Sequence, residues 1–162
     1  MTNKYTISVL AGDGTGPEVV EQAVRILSAT QKEYDIELSF QESSIGGDRY
    51  LATGDLVTEE DIKEFNESDA ILLGAIGHPD VKPGILEQGI LLNLRKKFDQ
   101  YINLRPVVLY PGVETPIANK TSEDINFVVV RENTEGLYAG AGGFVHYGTC
   151  LLYTSPSPRD RG

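Results

Sequence analysis

Three arginines and one tyrosine, Arg95, Arg105, Arg131 and Tyr138, are of types that can hold an anion or donate a proton. Around them the 162-residue chain is acidic, with 14 Lys+Arg against 24 Asp+Glu and a formal net charge of −10. That balance disfavours nucleic-acid phosphates and anionic membranes as partners and leaves a small-molecule substrate as the expectation. An anionic small molecule would have to be held by local guanidinium groups, each charge-assisted bond contributing about 1.5–3 kcal/mol. Arg95 follows Leu91 and Leu92 by four and three residues, so on a helix all three share one face, apolar at one end and cationic at the other. The same spacing describes an amphipathic helix whose leucines enter the core while Arg95 snorkels to water. Arg105 precedes Pro106, which biases it away from helical geometry and sets it at the end of an extended segment, where it also reads as an ordinary surface arginine. Arg131 closes an apolar run and Tyr138 opens the next, so a hairpin with Asn133 to Gly136 at its tip would set them nearly opposite, a pairing that can be purely structural.

Gly12-Asp13-Gly14-Thr15-Gly16-Pro17 is a glycine loop, but it is not G-x-G-x-x-G, and no acidic residue ends a second strand at the fingerprint distance. By itself it reads equally as turn chemistry, with glycine relieving positive-φ strain. His78 and His146 are too isolated for a zinc site, and Asp69, Asp80 and Asp99 read as solvated charges, so no metal site is expected within these residues. The single cysteine, Cys150, cannot form an intrachain disulfide, and no charged segment followed by a long apolar stretch opens the chain. A cytoplasmic location is the expectation, and no window approaches transmembrane length.

The elements that must position these residues alternate. Tyr5 to Leu10 reads as a strand running into the glycine loop, and Pro17 suits the first turn of a helix whose Val20, Ala23, Val24 and Leu27 form one apolar stripe. Ile36 to Phe40 reads as a second strand, and Thr58 to Phe65 as a helix with Thr58 as cap and Asp61 in the capping box. Ala70 to Leu73, closed by Gly74, has the continuous apolar pattern of a parallel strand covered on both faces. A loop from Gly77 to Gly84 precedes a helix from Ile85 to roughly Gln100, and Asn103 to Tyr110 resumes as extended chain. Ile125 to Arg131 is the strongest strand signal, followed by a turn and a short strand, Leu137 to Ala139. Strands alternating with helices predict an α/β fold. From Cys150 onward the periodicity is lost and Pro, Ser and Arg enter, as in a linker or a non-native tail.

Taken together, Gly12-Asp13-Gly14-Thr15-Gly16-Pro17-Glu18, Leu92-Asn93-Leu94-Arg95, Asn103-Leu104-Arg105-Pro106 and Arg131-Glu132-Asn133-Thr134-Glu135-Gly136-Leu137-Tyr138 resemble the isocitrate and isopropylmalate dehydrogenase family over residues 4 to 149. Four separate motifs in the family's order are far more specific than the glycine loop alone. The resemblance implies the N-terminal part of a truncated two-domain fold: residues 1–100 begin the large α/β domain, 101–149 begin the second domain and 150–162 are a non-native tail. It implies that Arg95, Arg105 and Arg131 clamp the carboxylates of a malate-type substrate and that Tyr138 donates a proton. Thr15 would lie near the nicotinamide end of NAD, with His78 and Gln88 lining the cofactor approach. It further implies Mg²⁺ or Mn²⁺ held by aspartates downstream, a lysine from a partner subunit, and a homodimer.

Isocitrate-specific members of the family place Ser and Asn where this chain has Gly89 and Leu91. A buried carboxylate facing Leu91 and Leu92 would lose hydration at a cost of several kcal/mol, whereas an isopropyl group gains roughly 25 cal/mol per Å² buried. The resemblance therefore implies NAD-linked oxidative decarboxylation of 3-isopropylmalate, a step of leucine biosynthesis, ahead of isocitrate, tartrate or D-malate. The alternative from another class is a non-catalytic acidic α/β binding module. A truncated chain is expected to leave strand edges unpaired and apolar faces bare, to fold poorly alone and to be inactive.

Overall fold

In the first unit, residues Asn3–Gly12 form the central strand, β1, flanked by Ile36–Ser43 (β2) and Ala70–Ala75 (β3) in a parallel sheet of order β2-β1-β3. The computed structural model describes residues 3–135 and the backbone of two short strands, Phe144–Val145 and Tyr153–Thr154. The chain divides into two units, Met1–Lys97 and Phe98–Gly162. Tyr138, His146, Cys150 and the expected strand from Leu137 to Ala139 lie outside the described residues.

As the strand with two neighbours, β1 supplies the middle of the core: Val9 and Leu10 are buried, and buried Ser8 pairs its hydroxyl with that of Ser68 at 2.6 Å. Residue Ile7 sits opposite both Phe40 and Ala70, which fixes the register on both sides. The predicted helix is α1, Gly16–Tyr34, with Pro17 in its first turn. Val20 is buried and Ala23, Val24 and Leu27 are half-buried, so the apolar stripe packs on the sheet as its spacing requires. Gly74 makes that packing close, because a Cβ there would overlap the Ala11 carbonyl and stand 2.8 Å from a Val20 methyl. Asp35, at φ 49°, ends the helix in the left-handed region.

A seven-residue helix, α2 (Gly47–Thr53), was not signalled by the sequence, since it opens on Gly46-Gly47 without a side-chain cap. The next, α3 (Glu59–Asn66), carries the predicted capping box: the Thr58 hydroxyl accepts the Asp61 N–H, and the Asp61 carboxylate accepts the Thr58 N–H. Arg49 adds a two-pronged ion pair to the same carboxylate, at 2.9 and 2.8 Å.

Two expectations about the first unit are corrected. β3 is not covered on both faces: Ile71 and Leu72 are half-buried and Leu73 is 42 % exposed, because β3 is an edge strand of this three-stranded sheet. The helix expected from Ile85 to Gln100 contains a π-helical segment, Glu87–Leu92, leading directly into α4 (Asn93–Lys97). Its core side is Leu86, Ile90 and Leu94, which are almost fully buried.

In the second unit, Ile102–Val108 (β4) and Asn126–Glu132 (β5) pair antiparallel. Arg105 is in the middle of β4, not at the end of an extended segment, and Pro106 follows within the strand. A two-stranded ribbon leaves each strand one edge on which no donor is needed, which is where proline is tolerated. The ribbon is apolar and open, with Leu104 64 % and Val130 66 % exposed. Phe144–Val145 (β6) pairs antiparallel with Tyr153–Thr154 (β7), so strand pairing reaches into the stretch read as a linker.

Candidate functional site

The chain leaves β1 for β2 on one side and returns to β3 on the other, so the strand order reverses between β1 and β3. In open parallel sheets this switch point is where ligands bind. One wall is the loop Gly12 to Gly16 and the other is Ala75 to His78. Gly12, at φ 74°, allows the two walls to touch, since a Cβ there would overlap the Ala75 carbonyl. Thr15 is exposed at the start of α1, and its hydroxyl makes no capping hydrogen bond. His78 is mostly buried: its Nδ1 accepts the Asp80 N–H at 3.2 Å and its Nε2 stands 3.4 Å from the exposed Asp48 carboxylate.

On the first of these walls Asp13 is only 6 % exposed. Its Oδ1 accepts the Gly47 N–H at 2.7 Å and its Oδ2 accepts the Gly77 N–H at 3.0 Å. Its own N–H donates to the Ala75 carbonyl at 2.7 Å, and its carbonyl accepts the Gly16 N–H at 2.8 Å. The sequence reading passed over Asp13, although an aspartate between two glycines at a strand end is a residue type that ties loops.

On the π-helical segment, Ile90 takes the core position with Leu94, leaving Leu91, Leu92 and Arg95 half-buried. The leucines that could have filled the core therefore do not. π turns are rare and recur at functional sites, because the wider turn re-aims side chains. Gly89 belongs to the same turn and sits under Leu56, whose side chain a Cβ would overlap. A serine at position 89 is thus a packing change as well as a polar one. Gln88 is exposed at the start of this segment.

Asn103 stands opposite Arg131, and Arg105 opposite Val129. Opposed residues share a face and alternate residues return to it, so Arg105 and Arg131 are diagonal neighbours on one face of the ribbon, about 7–8 Å apart by ladder geometry. Their pairing through β4 and β5 was not anticipated; the pairing expected with Tyr138 falls outside the described residues. Asn133, 4 % exposed, braces Arg131: its Oδ1 accepts from Arg131 Nη2 at 3.1 Å while its Nδ2 donates to the Gln100 carbonyl at 3.1 Å. The Glu132 carboxylate accepts the Thr134 N–H at 2.7 Å and the Glu135 N–H at 2.8 Å, folding the turn that follows Arg131. Chiefly the Thr134 N–H holds the Glu132 carboxyl below the usual carboxylate range.

Among the described residues, no group of three or more His, Cys, Asp and Glu side chains is arranged to hold a metal ion. Among them, too, no helix is long and apolar enough to cross a membrane.

A family model described as isocitrate/isopropylmalate dehydrogenase matches residues 6–147. The chain belongs to the isocitrate/isopropylmalate dehydrogenase family. It is 49% identical over 149 residues to a 3-isopropylmalate dehydrogenase of Beutenbergia cavernae, covering 92% of this chain and 42% of that relative. Among solved structures it is similar to isocitrate dehydrogenase from Methylococcus capsulatus, with a TM-score of 0.72 at 26% identity over 93% of this chain and 42% of that one. A β-decarboxylating dehydrogenase from Thermococcus kodakarensis matches with a TM-score of 0.58 at 33% identity, over 94% of this chain and 41% of that one. The chain thus spans about two fifths of the length of the relatives it matches. Within the family, the mixed α/β fold with its parallel sheet is the architecture that the sequence predicted.

Proposed function

We propose that this chain is the N-terminal part of an NAD-dependent 3-isopropylmalate dehydrogenase that works as a cytoplasmic homodimer. The observation that carries the reading is the half-buried trio Leu91, Leu92 and Arg95, an apolar surface beside a cation on a helix whose core positions are filled by other residues. A malate-type substrate bearing an alkyl group matches that surface, and the 3-isopropylmalate dehydrogenase relatives support the choice.

In this reading Arg95, Arg105 and Arg131 bind the two carboxylates, and Asn133 holds the Arg131 guanidinium in its orientation. Leu91 and Leu92 take the isopropyl group and exclude water from it. Gly14, with open space where a side chain would stand, leaves room for a cofactor at the mouth of the β1/β3 switch point, with Thr15 and His78 on its two walls and Gln88 along the approach. When bound, NAD would supply the two-electron acceptor for oxidation of the C2 hydroxyl, the β-carboxylate then being lost as carbon dioxide. Tyr138 returns a proton to the resulting enol. The Mg²⁺ or Mn²⁺ that the resemblance implies finds no donor set among the described residues, and its ligands are assigned to the sequence that follows in the complete enzyme.

The reading is tested by Tyr138→Phe in the complete enzyme. Removing only the proton donor should lower kcat while leaving the substrate dissociation constant nearly unchanged. An unaltered kcat would remove Tyr138 from the reaction.

A further inference from the structure

We propose that Asp13 is a positioning residue that sets the width of the cofactor crevice; this rests on the dehydrogenase reading above. Its carboxylate joins three segments distant in sequence: its own loop, the start of α2 34 residues on, and the loop after β3 64 residues on. A carboxylate this deeply buried is retained only when its oxygens are hydrogen-bonded, and here each oxygen takes a different segment's N–H.

The packing around it is equally specific. A Cβ on Gly46 would stand 2.8 Å from Asp13 Oδ1, and a Cβ on Gly47 would overlap the His78 side chain. The two glycines therefore admit both the carboxylate and His78, and neither contact survives a larger residue without movement. Thr15 lies two residues beyond Asp13, and His78 directly follows Gly77. Thr15 and His78, one on each wall, are thus referred to a single carboxylate, and displacing it moves both. Asp13 has no need to touch the cofactor; it acts by holding the two backbones that do.

Asp13→Asn is nearly isosteric but turns an NH₂ toward one of the two N–H groups, so either the loop after β3 or the start of α2, which packs on His78, must move. In the complete enzyme, Asp13→Asn should raise the NAD dissociation constant, measured by calorimetry, by roughly 10- to 100-fold, while the KM for 3-isopropylmalate stays close to wild type. A purely structural role would lower the melting temperature and leave NAD affinity alone, and that result would overturn the proposal. Should Asp13→Asn fail to fold, Gly47→Ala displaces His78 while keeping the carboxylate. The same selective loss of NAD affinity is expected, and unchanged affinity in that variant would equally overturn the proposal. Wild-type enzyme is assayed in parallel. If it neither binds NAD nor oxidises 3-isopropylmalate, the dehydrogenase reading fails and takes the proposal with it; an active wild type with unaffected variants rejects Asp13 alone.

Discussion

Leu56 covers Gly89 so closely that the glycine has no space for a side chain. The contact joins the loop before α3 to the π-helical turn that carries Leu91 and Leu92. Gly89→Ser should therefore destabilise the protein by about 1–3 kcal/mol through overpacking. Adding Leu56→Ala should recover part of that loss, so the two changes are non-additive in a urea-denaturation cycle. Strict additivity would mean that Leu56 does not bear on position 89.

Leu91→Asn tests the apolar surface without that clash. It should lower kcat/KM for 3-isopropylmalate by roughly 10- to 200-fold, the value of one lost alkyl contact, or about 1–3 kcal/mol. Gaining isocitrate activity requires well-placed new hydrogen bonds, so a relaxed enzyme is expected in place of a clean switch. An unaltered ratio of kcat/KM for the two substrates would mean that this helix face does not meet the substrate.

Asn133→Ala removes the brace on Arg131 but keeps the guanidinium. The KM for the hydroxy acid should rise by roughly 5- to 30-fold, equivalent to about 1–2 kcal/mol, with little change in NAD affinity. Equal losses for both ligands would point to general unfolding of the β4–β5 ribbon.

The Arg49–Asp61 pair gives a prediction in pH. Burial raises the Asp61 carboxyl pKa, but hydrogen bonds from Arg49 and from the Thr58 N–H and hydroxyl outweigh it and hold the group below the usual carboxylate range. A depressed folded-state pKa contributes stability that is present above the unfolded value of about 3.9 and is lost as pH falls through the folded one. Melting temperature should accordingly drop on acidification below about pH 4. Asp61→Asn should cost about 2 kcal/mol at neutral pH and flatten that part of the profile. A mutant profile parallel to wild type would assign the acid sensitivity elsewhere.

What the sequence made legible was local. The Thr58–Asp61 capping box and the Val20, Ala23, Val24 and Leu27 stripe involve residues within one or two turns of each other, and the structure has both. What it hid depends on distant partners. The apolar run of Ala70 to Leu73 states that a strand forms but not how many neighbours will cover it. The choice of Ile90 and Leu94 as core residues is accompanied by packing of Leu56 on Gly89, a contact across 33 positions that no helical periodicity encodes. Asp13 was overlooked for the same reason, because both of its carboxylate bonds end on glycine N–H groups far along the chain. Arg95, Arg105 and Arg131 were singled out by type and motif, while the β4–β5 register that sets Arg105 and Arg131 on one face emerged only with the fold.

The central claim is that the Leu91, Leu92 and Arg95 surface selects an alkyl-substituted malate for NAD-linked oxidation. The direct measurement is NADH formation by the complete wild-type enzyme with 3-isopropylmalate and, separately, with isocitrate, each with Mg²⁺ present. The account predicts a kcat/KM for 3-isopropylmalate at least roughly 100-fold above that for isocitrate, since a carboxylate would have to be buried against two leucines without a partner. Equal or greater efficiency with isocitrate, or no NADH from 3-isopropylmalate, would contradict it.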